Sequence, residues 1–161
     1  MNNVACGVAA VLTAAGVSRG AMIDVFVQVN GANMVPPVAT EATGILSGVL
    51  DTTALTFSFS WDITDALNGT PTTIHFQRAA AGQNGGAIFD FGFDEEDPWP
   101  LQGNLVWDMT SADVDDLLAG LIYVNFRTSA HAAGELRGQL PTPGSTALFA
   151  LAGALTTRRK R

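Results

Sequence analysis

From Leu55 to Ile63 the chain alternates without a break. Leu55, Phe57, Phe59, Trp61 and Ile63 are large and apolar, and Thr56, Ser58, Ser60 and Asp62 between them are polar. A period of two over that length places all the apolar side chains on one face of an extended strand and leaves the other face wet. No helix accepts this pattern, so the chain must build at least one sheet and cover that face. Ile23, Val25, Val27 and Val29 repeat the pattern. Further strands are expected at Ile45–Leu50, Thr72–Arg78, Ala87–Phe93, Asn104–Met109, Leu121–Thr128 and Glu135–Leu140.

The punctuation agrees. Asp51-Thr52-Thr53 separates two strands at hairpin distance, and Ala81-Gly82-Gln83-Asn84-Gly85-Gly86 is a turn cluster. Val35-Pro36-Pro37 has no place in a central strand, because proline donates no ladder hydrogen bond. One short helix is expected from Ser111 to Leu118, capped by Thr110 or Ser111, with acids in its first turn. Eight short antiparallel strands with frequent turns read as an all-β sandwich.

The two ends do not share this pattern. Met1 to Ala21 holds an apolar Ala/Gly/Val run that closes at Ser18-Arg19-Gly20-Ala21, which reads as a secretory signal peptide with a small-residue cleavage site. Its removal takes away Cys6, the only cysteine. Residues 141–161 read Pro141-Thr142-Pro143-Gly144, then the apolar stretch Ser145–Thr157, then Arg158-Arg159-Lys160-Arg161. The stretch falls short of the ~20 residues that span a bilayer as a helix. A basic cluster behind it stays on the cytoplasmic side. This three-part tail resembles the PEP-CTERM sorting signal of bacteria, with Thr142 where that signal most often has Glu. The resemblance implies transient membrane anchoring, an exosortase-type sorting machinery as partner, and release to the cell surface or beyond.

Charge narrows the function classes. All 15 acidic residues lie between Asp24 and Glu135, whereas only Arg78, Arg127 and Arg137 of the 8 basic residues share that stretch. Nucleic acid needs clustered Lys and Arg, so it is excluded as a partner of the stretch from 22 to 140. No Gly-x-Ser-x-Gly elbow, phosphate loop or dinucleotide fingerprint occurs, and no cofactor is implied.

Three stretches together resemble the CHRD domain family. Asn30-Gly31-Ala32-Asn33-Met34-Val35-Pro36-Pro37-Val38 leads to Ala42-Thr43-Gly44. Thr73-Ile74-His75 leads to Gly82-Gln83-Asn84-Gly85. Tyr123-Val124-Asn125 leads to Gly134-Glu135-Leu136-Arg137-Gly138-Gln139. The resemblance implies an immunoglobulin-like or superoxide-dismutase-like antiparallel β-sandwich over residues 22–140. It also marks Pro36, Pro37, Gly44, His75, Tyr123, Asn125, Gly134, Glu135, Arg137 and Gly138 as residues of a structural motif. Two positions depart from the pattern: Thr73 and Arg127 stand where the family has histidines, and only His75 keeps its place.

The candidate sites follow. Catalytic zinc or copper needs about three or four His or carboxylate ligands, and the stretch offers His75 and His131, the latter in a Ser129–Gly134 turn. The acidic run Asp94-Glu95-Glu96-Asp97 carries ligands for calcium, but its spacing does not match an EF-hand loop, and it reads as a solvated loop. Glu135 and Arg137, two apart on one strand face, read as a structural ion pair. Trp99, between two prolines, reads as a plug over one end of the sandwich. The leading expectation is an exported, non-enzymatic surface or matrix β-sandwich with a binding or structural role. The alternatives are a superoxide-dismutase-like metal enzyme that keeps His75 as a ligand, and a calcium-dependent adhesion module that uses the acidic loop.

Overall fold

The computed structural model describes residues 21–141. The expected signal peptide, Cys6 and the sorting tail beyond Pro141 lie outside the described residues. Eight strands and one helix follow in order: β1 Met22–Asn30, β2 Thr43–Asp51, β3 Thr56–Ile63, β4 Pro71–Arg78, β5 Gly86–Asp90, β6 Gln102–Asp108, α1 Ser111–Leu118, β7 Ile122–Thr128 and β8 His131–Gln139. A single 3-10 turn, Gly31–Asn33, follows β1.

All pairings are antiparallel, in the order β5-β4-β7-β8-β1-β2-β3-β6. The junction of β8 and β1 carries a single register pair, Asn30 with Arg137. The sheet folds over so that β3 and β6, at one end of this order, pack against β4 and β5 at the other. β8 and β1 approach closely at Gly138. A Cβ on Gly138 would meet the side chains of Val27 and Val29 at 2.9 and 2.7 Å.

The period-two face of β3 forms the centre of the core. Phe57, Phe59, Trp61 and Ile63 are buried, and Phe59 packs edge-on to Phe76 of β4 at 5.0 Å. Phe91 sits 5.0 Å from both rings, and Trp107 of β6 stacks on Phe76 at 5.4 Å. Each such side chain contributes roughly 1.5–3 kcal/mol by leaving water. Aromatic contacts from β3, β4, β5 and β6 thus tie the two ends of the sheet together.

α1 begins as its sequence requires. The Thr110 hydroxyl accepts from the Asp113 N–H, and the Asp113 carboxylate accepts in return from the Thr110 N–H, a reciprocal capping box. Val114 and Leu117 point into the core, and Arg78 pairs with Asp113 and Asp116 on the wet side.

Three expectations change. Leu55 belongs to the turn, not to the dry face of β3, and adopts a left-handed φ of 56°. The Asp51 carboxylate accepts from the Thr53 and Ala54 N–H groups and sets that turn. β5 stops at Asp90, short of Phe93, because Gly92 turns the chain at a φ of 83°. His131 opens β8 opposite Thr128, and only Ser129 and Ala130 form the hairpin turn.

Candidate functional site

The outer face of β4, β7 and β8 carries nearly every polar residue of the family-like motif. β7 is buried on both faces: Ile122, Val124 and Phe126 face the core, and Tyr123 and Asn125 lie beneath connecting segments on the other side. Polar residues buried on one face of a strand are mostly paired internally.

Arg137, 2 % exposed, is held by the turn before β5. Its Nη2 donates to the Gln83 carbonyl at 2.8 Å and to Gln139 Oε1 at 3.2 Å, and its Nη1 donates to Asn84 Oδ1 at 3.2 Å. The guanidinium carbon lies 3.5 Å from the centre of the Tyr123 ring. Asn84 donates in turn to the Val35 carbonyl, and the Gly85 N–H donates to the Tyr123 hydroxyl at 3.0 Å. Burial pulls the Arg137 pKa below its ordinary value, and interaction with Tyr123 acts in the opposite direction. The Val-Pro-Pro, Gly-rich and Tyr-x-Asn segments therefore meet at one arginine. The Val35-Pro36 peptide is cis.

Glu135 is fully buried and does not pair with Arg137. Thr40 and the Asn68 N–H donate to its Oε1 at 2.7 and 2.8 Å, and the Thr128 hydroxyl donates to its Oε2 at 2.7 Å. The expected ion pair is thus replaced by two separate networks, one per charge. The Glu135 network ties the β1–β2 and β3–β4 loops to β8 through Thr40 and Asn68, and the Arg137 network ties the turn before β5 through Gln83 and Asn84. Asn125 donates to Gln77 Oε1 and to the Ala133 carbonyl, and its side chain lies against Gly134.

His75 is half-buried, and its Nε2 lies 3.4 Å from Asp90 Oδ2. Among the described residues, its Nδ1, the Thr73 hydroxyl, Arg127 Nε and Asn125 Oδ1 are buried without hydrogen-bond partners. His75 pairs with Asn125 and Ile74 with Phe126; the register is irregular between Ile74 and Pro71, and Thr73 and Arg127 there line one cavity. His131 is distant from this group in its bonding and meets the Asn68 amide at 3.2 Å.

Asp94, Glu95, Glu96 and Asp97 are all exposed. Asp94 Oδ1 accepts from the Glu96 and Asp97 N–H groups, so that carboxylate oxygen is spent within its own turn. Trp99 is buried beyond it, edge-on to Phe126, and donates to the Arg127 carbonyl at 2.9 Å. Among the described residues, no three His, Cys, Asp or Glu side chains gather at a distance suited to one metal ion.

Two features escaped the sequence reading. Thr40 and Asn68 hold Glu135 from segments with no strand or motif signal, and only the Thr128 partner lies near it in sequence. The polar cluster of Thr73, His75 and Arg127 is visible only once β4 and β7 are paired.

An all-β sandwich cross-braced by one buried arginine and one buried glutamate is the class of module these observations define. Compared with known protein families, residues 25–140 match the CHRD domain, and the chain belongs to that family. CHRD domains are β-sandwich modules of secreted or extracellular proteins. No curated protein and no solved structure matches the chain.

Proposed function

We propose that the protein is an exported bacterial module that works at the cell surface or in the extracellular matrix, in a binding or structural role. The observation that carries this reading is how the motif's charges are used. Arg137 and Glu135, the two buried charges of the family-like stretch, have their hydrogen bonds directed to loops of the sandwich itself. They brace the fold and are not turned toward a reacting molecule. The wet exterior, rich in acids and nearly free of cations, suits a module that stays dispersed outside the cell.

In this reading residues 1–21 direct export and are removed. The tail 141–161 halts in the membrane, is recognised by an exosortase-type enzyme and is cut near Pro141-Thr142-Pro143. The membrane is touched only during that passage. The test is to fractionate the producing cells and sequence both ends of the recovered chain by mass spectrometry. The expected product starts near Ala21, ends near Pro143 and lies in the surface or extracellular fraction. A full-length chain in the cytoplasm overturns the proposal.

A further inference from the structure

Four large apolar side chains stand exposed among the described residues, and all four lie on one face: Met22, Phe26, Ile45 and Val106. It is the outer face of β1, β2, β3 and β6, turned away from the core side chains Val25, Leu46, Phe59 and Trp107 of the same strands. The registers set Phe26, Ser47, Ser60 and Asn104 in one row across the four strands, and Asp24, Val49, Ser58 and Val106 in the next. Three short serines therefore floor a trough between the Phe26 ring on one side and Val106 on the other, an open cleft of about 550 Å³. The outer face of β4, β7 and β8 is roofed by the protein's own loops, which Glu135 and Arg137 hold in place. The face of β1, β2, β3 and β6 carries no such roof. Apolar residues gathered on one surface and rimmed by polar ones mark an interaction site.

The rim states what the partner carries. Asp24, Asp51, Asp62 and Asp108 share this face, and the four strands hold no Lys, Arg or His. None of these carboxylates forms an ion pair with a described residue. A second copy docked through the same face would set the acids of one chain against those of the other. Nucleic acid and anionic membrane are repelled for the same reason. A polypeptide whose apolar stripe is bordered by Lys or Arg satisfies both the trough and its rim. From Phe26 to Asn104 is three strand spacings, about 14 Å. That width accepts a helix, which measures about 10–12 Å across with its side chains.

We infer that this face docks a basic amphipathic helix of another protein, its apolar stripe on Phe26, Val49 and Val106 and its cations on Asp24, Asp62 and Asp108. The inference deepens the binding role proposed above and rests on that reading, but its test does not involve export. The purified full chain is titrated at physiological salt with a synthetic amphipathic helix of leucine and lysine, and with its leucine–glutamate counterpart as control. The lysine peptide is expected to bind to saturation and to shift the backbone amide NMR signals of Ser47, Ser60 and Asn104. The glutamate peptide is expected to leave them in place. Phe26→Ser should weaken binding about tenfold, the loss of one aromatic anchor. Phe26 is 51 % exposed and Val106 58 %, so Phe26→Ser and Val106→Ser should both melt close to the parent while binding less. Asp24→Asn with Asp62→Asn should weaken binding about fivefold, what two exposed ion pairs supply. Glu95→Gln with Glu96→Gln removes the same charge from the exposed acidic turn and should leave the affinity unchanged.

The inference fails if the lysine peptide does not saturate, or if the glutamate peptide binds as well. Equal weakening by the two charge pairs also overturns it, because the attraction is then to the acidic protein as a whole. If the full chain self-associates and Phe26→Ser restores the monomer, the occupant is a second copy and the inference is wrong. It is equally wrong if the peptide binds only the chain ending at Pro143, since the chain's own basic tail then covers the face. A chain that docks the peptide but is never exported refutes the export reading alone, and an exported chain that ignores the peptide refutes this inference alone.

Discussion

The guanidinium carbon of Arg137 sits over the Tyr123 ring, 3.5 Å from its centre, and the same tyrosine's hydroxyl accepts from the Gly85 N–H. One aromatic residue thus holds the buried cation with its face and the turn before β5 with its edge. The two functions separate by mutation. Tyr123→Phe keeps the ring and leaves the Gly85 N–H without its acceptor, an expected loss of about 1–2 kcal/mol. Arg137→Lys loses the fork that reaches Gln83, Asn84 and Gln139 together, and should lose about 2–4 kcal/mol. Urea unfolding of both single variants and the double variant measures the coupling. Strict additivity would show that the Tyr123 hydroxyl and the Arg137 fork hold the turn before β5 independently.

Glu135 offers a sharper comparison, because its two oxygens do different work. Oε1 takes a hydroxyl and a backbone N–H, whereas Oε2 takes only the Thr128 hydroxyl. Glu135→Gln can place its carbonyl oxygen at the first position and its amide toward Thr128, which then turns to accept. Glu135→Ala leaves all three donors buried without an acceptor. The glutamine variant should therefore lose about 1 kcal/mol and the alanine variant about 3 kcal/mol or more. Equal losses in thermal melts would mean that charge, not hydrogen bonding, dominates the site.

The core prediction rests on the face that the sequence makes most visible. Phe59 is 4 % exposed and touches three aromatic rings, Phe76 of β4, Phe89 of β5 and Phe91 just beyond it. Phe59→Ala should lose about 3–5 kcal/mol, since a ring of this size leaves a cavity that its neighbours fill only in part. A loss under about 1 kcal/mol in denaturant unfolding would contradict the packing described for this residue.

Why some elements were legible and others were not follows from the range of the forces that define them. β3 is visible because its alternation is local, and α1 because Thr110 and Asp113 cap it three residues apart. His131 read as part of a turn because Ala132, Ala133 and Gly134 show no alternation. What makes it a strand residue is its pairing with Thr128 across a two-residue hairpin. Glu135 and Arg137 share a face, as their spacing requires, yet the loops laid over that face capture each separately. Nothing within two residues of either one reveals this. The cluster of Thr73, His75 and Arg127 likewise depends on an irregular β4–β7 register that no local pattern encodes.

Gly134 tests that covered face. It adopts a φ of 131°, where side chains are strongly disfavoured, and a Cβ there would collide with Asn125 Oδ1 and approach the Met34 methyl at 2.7 Å. Gly134→Ala combines backbone strain of about 1–3 kcal/mol with displacement of the Asn125 amide. The variant should melt well below the parent and lose protection of the Asn125 side-chain amide in hydrogen exchange. An unchanged melting temperature would show that this backbone conformation is not required.

The last prediction concerns Arg158, Arg159, Lys160 and Arg161. Cationic residues beside an apolar segment resist translocation, so these four should hold the chain's end in the cytoplasm while the domain passes outward. The apolar stretch Ser145–Thr157 is too short for a comfortable permanent span, given that about 20 residues cross a bilayer as a helix. A segment of that kind is suited to being held briefly and then cut away. Replacing all four basic residues with Ser removes the stop and should let the tail follow the domain across. The processing enzyme then finds no halted substrate, and uncut precursor accumulates. The measurement is the C-terminal peptide of the exported protein from both strains by mass spectrometry. The parent should end near Pro143, and the variant at Arg158→Ser, Arg159→Ser, Lys160→Ser and Arg161→Ser should keep its tail. If the parent's exported chain still ends in Lys160-Arg161, the tail is part of the working protein and the sorting route is wrong.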